Sequence, residues 1–387
     1  MTKNWLRKDW AQALKSQSLS RLPASQERLK TKGYSATSLL AESFEISPEL
    51  FDSSLRNSSS SSDYLYCIVF ELHKHKALLA PMEPCGDIQR QKAFLASISR
   101  KFLYAPRSEK SLITVGDYVV VIKRDHHSCQ IIHRRRRWNA LVRQDPFCEK
   151  RRHVLGSNID QIIVVSSITA PEISWHLINQ YLTLAMIQDM AVVCVFTKMD
   201  LWDKVNHHQQ KIIDDRIHYL SQLSIPTFRL SIHDRENLSS LSHSLFQGKV
   251  SIVSGLSGVG KSTLINYSGG ITPCKVASAD QTAYGRHTTS ASRLVELHKG
   301  GMIMDTPGIK TMLLDPLLLS KVAMGFPEFQ ALLGCKFQPC YHLHEPDCAI
   351  KKALKEDIIP QWRYASYSIM QTKSQTVQKH ERYNKHE

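Results

Sequence analysis

The chain has 387 residues, 42% hydrophobic and 22% charged, and its 50 Lys and Arg against 35 Asp and Glu leave a net charge of +15 at pH 7. At roughly 150 residues per domain this length predicts two or three domains, and such ordinary globular composition excludes wholesale disorder. No apolar run approaches the ~18 residues of a spanning helix, the start lacks a secretory apolar core, and nine cysteines are an odd number for an extracellular disulfide framework, so a cytoplasmic protein with no membrane partner is expected.

Residues 1–62 are polar and end in serines (Ser53, Ser54, Ser58 to Ser62), which predicts an extension and flexible linker. Residues 63–152 carry short β-rich runs, Tyr64 to Phe70, Ile113 to Ile122 and Gln130 to Ile132, with a turn at Gly116-Asp117. Short strands with little helical periodicity predict a small barrel of the oligonucleotide-binding (OB) kind. Between Lys123 and Arg152 stand ten Lys and Arg and three Asp and Glu, nearly half of the net charge. Arg134, Arg135, Arg136 and Arg137, followed by Trp138 and Arg143, join positive charge to an aromatic, as RNA-gripping barrels do.

Residues 153–325 alternate strand and helix: strands at Ile162 to Val165, Ala191 to Phe196, Val250 to Val253 and Met302 to Met304, and helical spacing at Trp175 to Met186 and Ile212 to Leu223. That alternation predicts a parallel α/β sheet with helices on both faces. Residues 326–387 are expected to form a small metal-binding helical domain with a basic tail.

The motifs lie at strand ends. Thr197, Lys198, Met199 and Asp200 follow one strand, where a carboxylate can accept from guanine N1–H and the exocyclic amine, and a lysine stem can lie across the base. Gly255, Leu256, Ser257, Gly258, Val259, Gly260, Lys261, Ser262 and Thr263 satisfy G-x-x-x-x-G-K-[ST] between a strand and a helical start. In that pattern backbone N–H groups cradle phosphates, Lys261 reaches the terminal ones and Ser262 ligates Mg²⁺. Gly285-Arg286-His287-Thr288-Thr289 offers a threonine, Thr288 or Thr289, to complete the magnesium shell. Asp305-Thr306-Pro307-Gly308 places a carboxylate for magnesium and an N–H, that of Gly308, for the γ-phosphate. In an ordinary GTPase the phosphate loop precedes the base-reading loop; here it follows, so the fold is circularly permuted, which loops meeting at one sheet edge tolerate. Beyond these, Cys335, Cys340, His342 and Cys348 form a C-x4-C-x-H-x5-C set, a closed tetrahedral donor set suited to one structural Zn²⁺.

Together these residues resemble the circularly permuted GTPases of small-ribosomal-subunit maturation, the RsgA or YjeQ family. Asn158 to Gln161, Glu345-Pro346 and Arg363-Tyr364 with Tyr367 match as well. The resemblance implies an OB-fold barrel, a permuted P-loop GTPase domain and a zinc domain. It further implies GTP hydrolysis stimulated by the small subunit, GTP or GDP and ribosomal RNA as partners, and a monomer. Because Ile309 stands where many GTPases carry a water-orienting glutamine, it assigns that task to His287. The alternative is an RNA-binding protein that holds guanine nucleotide as a structural ligand with little turnover. Three features depart from the family: Thr197 replaces its usual Asn, Ser231-Ile232-His233 matches its guanine-supporting loop poorly, and residues 1–62 exceed its usual length.

Overall fold

The computed structural model describes residues 64–73, 75–82, 88, 92–100, 112–125, 128–145, 148–231, 233–234, 241, 244–267, 271–272, 292–298, 300–305, 321–332 and 334–383. The extension at 1–62 and the sites at His287, Thr288, Thr289 and Gly308 lie outside them.

Five strands, β1 (Tyr64–Leu72), β2 (Lys76–Pro81), β3 (Phe94–Ile98), β4 (Tyr118–Asp125) and β5 (Ser128–Arg134), close into a barrel. Neighbours run β1–β2–β3–β5–β4 and back to β1, with β3 and β5 parallel and the other pairs antiparallel. Alternate residues Cys67, Val69, Ala77, Leu79, Val119, Val121 and Ile131 fill it, the period-two pattern of a closed sheet. The strand expected from Ile113 begins only at Tyr118, because Thr114 to Asp117 turn. Thr114 N donates to Asp117 Oδ2 (2.7 Å), and Gly116 adopts φ 86°. A hairpin follows, β6 (Ala140–Asp145) and β7 (Cys148–Ser157).

The hairpin joins the next unit through two asparagines. Asn139 Nδ2 donates to Ile159 O (2.7 Å) while Asn139 Oδ1 accepts from Ile159 N (2.8 Å), and Asn158 Nδ2 donates to Gly116 O (2.8 Å). Asn158 itself takes φ 56°, a left-handed turn that asparagine tolerates. Asp160 accepts from Val250 N (2.8 Å); burial raises its pKa against that bond and the Lys249 charge.

Next come β8 (Gln161–Ser167), α1 (Trp175–Ile187), β9 (Ala191–Thr197), α2 (His207–Gln222), β10 (Thr227–Arg229), β11 (Val250–Ser254), α3 (Lys261–Tyr267), β12 (Ile271–Thr272), β13 (Arg293–Leu297) and β14 (Met302–Asp305). The sheet runs β10-β9-β8-β11-β14-β13, parallel as far as β14. Every residue of β8 is buried, as a strand covered on both faces requires. Ile162, Val164, Cys194 and Phe196 pack with residues of α1 and α2, whereas Ile163, Val165, Val193 and Val195 pack with Leu264 of α3, Leu245 and Phe246. Antiparallel β13 also pairs with β1 at Glu71 and Arg293, so barrel and parallel sheet form one continuous sheet.

Three helices complete the described chain: α4 (Pro327–Gln330), α5 (Ala349–Lys355) and α6 (Gln361–Tyr383). Fully buried Arg363 ties α6 to α4 and to α1. Its Nε and Nη2 bind the Glu328 carboxylate (2.5 and 2.9 Å), and its Nη1 donates to Asn179 Oδ1 of α1 (2.6 Å). Asn179 in turn donates to Ser366 Oγ (2.8 Å), and the Phe326 ring lies 4.4 Å from the guanidinium.

Candidate functional site

The C-terminal ends of β8, β9, β10, β11 and β14 open on one edge of the sheet. The expected phosphate loop follows β11. Gly255, Gly258 and Gly260 take φ values of 147°, 80° and 94°, which side chains with a Cβ rarely adopt. At Gly255 a Cβ would lie 2.1 Å from Val165 O, so the close approach of this loop to β8 requires glycine. Lys261 heads α3 and its Nζ donates to Gly255 O (3.1 Å) and Leu256 O (2.6 Å), poised within the loop. Ser262 is exposed beside it, and Thr263 is half-buried. Asp305 ends β14, the strand paired to β11, two residues past the Ser251–Ile303 pair, which brings its backbone to the same edge.

The expected base-reading loop touches the expected phosphate loop directly. Buried Thr197 closes β9, and its hydroxyl reaches Val259 O (2.6 Å) and Ser166 O (3.3 Å), holding both loops and β8 together. Lys198 adopts φ 62°, and its ammonium donates to Ala170 O in the loop after β8. A 3₁₀ turn then carries Met199 and Asp200. Asp200 Oδ1 accepts from Ser231 Oγ (3.1 Å), and His233 Nε2 lies 3.8 Å from Asp200 Oδ2. Ser231 is thus the residue that sequence matching undervalued: the following Ile232 spoils the motif, yet a serine just past β10 was the available signal. Thr197 likewise keeps a loop-to-loop tie through its hydroxyl despite lacking the amide.

The four metal-ligand candidates also converge. Cys335, Cys340, His342 and Cys348 bring their donor atoms within 4.8 Å of one another. His342 Nδ1 lies 3.6 Å from Cys335 Sγ and 3.4 Å from Cys348 Sγ, and the two sulfurs are 3.9 Å apart. Two thiolates on one tetrahedral ion at ~2.3 Å would stand ~3.8 Å apart, so the donor set fits zinc. The knuckle is fixed from two sides. Glu345 accepts from the Tyr341, Leu343 and His344 N–H groups, while Tyr364 and Tyr367 of α6 donate to His342 O (2.7 Å) and Tyr341 O (2.8 Å).

Of the expected RNA-facing arginines, Arg134 ends β5, Arg135 and Arg136 continue past it, and Arg136 is exposed. Arg137 is a correction. Its Nε and Nη2 bind Asp117 Oδ1 and Oδ2 (2.6 and 2.7 Å), and Nη2 also donates to Leu112 O. Since that carboxylate is fully buried, Arg137 neutralises it and braces the barrel turn instead of offering charge to solvent. Arg143 lies in β6.

The chain matches the family model described as RsgA GTPase over residues 134–315. It is 34% identical over 262 residues to the small ribosomal subunit biogenesis GTPase RsgA of Bacteroides fragilis, covering 67% of this chain and 83% of that one. Against the Haemophilus influenzae protein of the same name the identity is 34% over 282 residues, covering 70% and 79%. Among solved structures, YjeQ from Thermotoga maritima aligns with a TM-score of 0.61 at 26% identity, over 80% of this chain and 98% of that one. YloQ, a circularly permuted GTPase, shares the fold at a TM-score of 0.59 and 21% identity, over 82% of this chain and 98% of that one.

Proposed function

The chain belongs to the RsgA GTPase family, and from that membership we propose that it hydrolyses GTP to GDP and phosphate on the small ribosomal subunit, acting in that particle's late maturation. The observation that carries the nucleotide half is the Thr197–Val259 bond, which ties the base-reading loop to the phosphate loop so that one guanine nucleotide can span both. In that role Asp200, held by Ser231, accepts from the guanine edge and the Lys198 stem covers the base. Lys261 exchanges its carbonyl partners for phosphate oxygens, and the loop N–H groups of Gly255 to Thr263 take the rest. Magnesium, held by Ser262, Asp305 and Thr288 or Thr289, would neutralise phosphate charge. His287 is assigned the attacking water, and the Gly308 N–H the γ-phosphate.

The Cys335, Cys340, His342 and Cys348 knuckle would hold one structural zinc ion, whose chemistry is to lock a loop too short for a core of its own. Charge at Arg134 to Arg136, with Arg143, serves ribosomal RNA. No helix of the described residues is long and apolar enough to cross a membrane; a monomer working in the cytoplasm is part of the same proposal. Phosphate release from GTP and from ATP, with and without purified small subunits, tests the reading. GTP-specific turnover that rises with small subunits is expected. Turnover indifferent to them, or co-sedimentation with large subunits instead under a non-hydrolysable GTP analogue, would overturn it.

A further inference from the structure

Trp138 is the only exposed large hydrophobic residue of the barrel and its hairpin among the described residues, with 44% of its surface open. The side chain is nonetheless held. Its ring packs on that of Tyr118, with centroids 5.6 Å apart and planes inclined by 33°. The backbone N–H of Trp138 donates to Asn158 Oδ1 (3.2 Å), which fixes the main chain beneath the ring, and Asn158 is anchored on Gly116 O. Tyr118 behind it is an apolar backing: burial first, then the Asp160 charge, pushes its hydroxyl pKa up to about 12, so it stays neutral. Arg134 to Arg136 stand just before Arg137 and Trp138 in the chain, and the Asp117 carboxylate is neutralised by Arg137.

A lone fixed aromatic within positive charge differs from an apolar docking patch, which needs several contiguous hydrophobic residues. It suits a ligand that alternates flat apolar rings with negative charge. We propose that Trp138 is a stacking platform for one unpaired RNA base, with the flanking phosphates of that strand received by Arg134 to Arg136. The inference rests on the reading that the partner is ribosomal RNA and adds to it which chemical part of the RNA is met and where. Because the ring already packs on Tyr118 on one side, stacking a base on the other side costs less side-chain entropy, and it adds affinity that salt does not screen.

The test uses the full chain, a short single-stranded oligouridylate and an abasic strand of equal length, titrated at several salt concentrations. Trp138→Ala should weaken oligouridylate binding roughly tenfold, while leaving the salt slope and abasic-strand binding as in the wild type. Trp138→Phe should retain most of the affinity, and thermal melting checks that both variants fold. Charge reversal at Arg136 should flatten the salt slope for both strands. Unchanged oligouridylate affinity in Trp138→Ala, or an equal loss on the abasic strand, would overturn the stacking role, as would a wild type that binds small subunits but neither oligonucleotide. Failure to bind small subunits at all would instead strike the RNA reading beneath it.

Discussion

A single hydroxyl, that of Thr197, links the loops that follow β9 and β11, the two loops proposed to hold the nucleotide. Thr197→Val keeps the side chain's shape but leaves Val259 O without its donor, a loss of about 1–3 kcal/mol at a buried site. Fluorescent-GDP titration should then show affinity falling roughly tenfold, with Thr197→Ser close to wild type. Asp200→Asn turns an acceptor into a mixed donor and acceptor, and should shift preference from guanine to xanthine nucleotides; competition with XDP measures it, and unchanged guanine preference would remove the base-reading role. The sequence pointed to these positions because phosphate and guanine chemistry admit few residue types. It did not point to their partners. That Thr197 reaches Val259, or that Arg137 turns inward to Asp117, depends on contacts across 62 and 20 positions of chain that no local pattern encodes.

Among the elements, the C-terminal helix α6 depends most on a single buried cluster. Arg363→Met would leave the Glu328 carboxylate fully buried without its partner and is expected to destabilise the fold by about 3–5 kcal/mol, read from urea unfolding. Stripping metal with a chelator should loosen the knuckle that Tyr364 and Tyr367 grip, giving a lower melting temperature that added zinc restores; no change on stripping would dismiss the metal. The strands and helices of the parallel sheet were legible because each is a continuous apolar run or a clear helical period; β8, β9 and α1 lie within two residues of expectation, whereas α2 starts five residues early, at His207. The barrel was less legible. Strands β2 and β3 are short, and β4 starts five residues late because Asp117 draws the preceding segment into a turn. Arg363 stood out in the sequence through the resemblance alone, and its partner Asn179, like the Trp175 ring beside Trp362, comes from the distant helix α1.

For the whole molecule, charge governs approach and the continuous sheet governs posture. Replacing Arg134, Arg135 and Arg136 by Glu should weaken small-subunit binding at low salt and reduce its salt dependence, measured by co-sedimentation; an unaltered salt slope would free those residues of the role. Circular permutation was legible from motif order alone, whereas the seam between β1 and β13 was invisible, since it joins Glu71 to Arg293 across most of the chain. In sequence that seam stands between the stretch bearing His287 and the strand that ends at Asp305. The barrel is therefore continuous, through β1 and β13, with the strand that ends at Asp305. Under the proposed function, a particle that seats the barrel would hold the nucleotide mouth by the same unbroken run of strands, so landing and firing would share one tether.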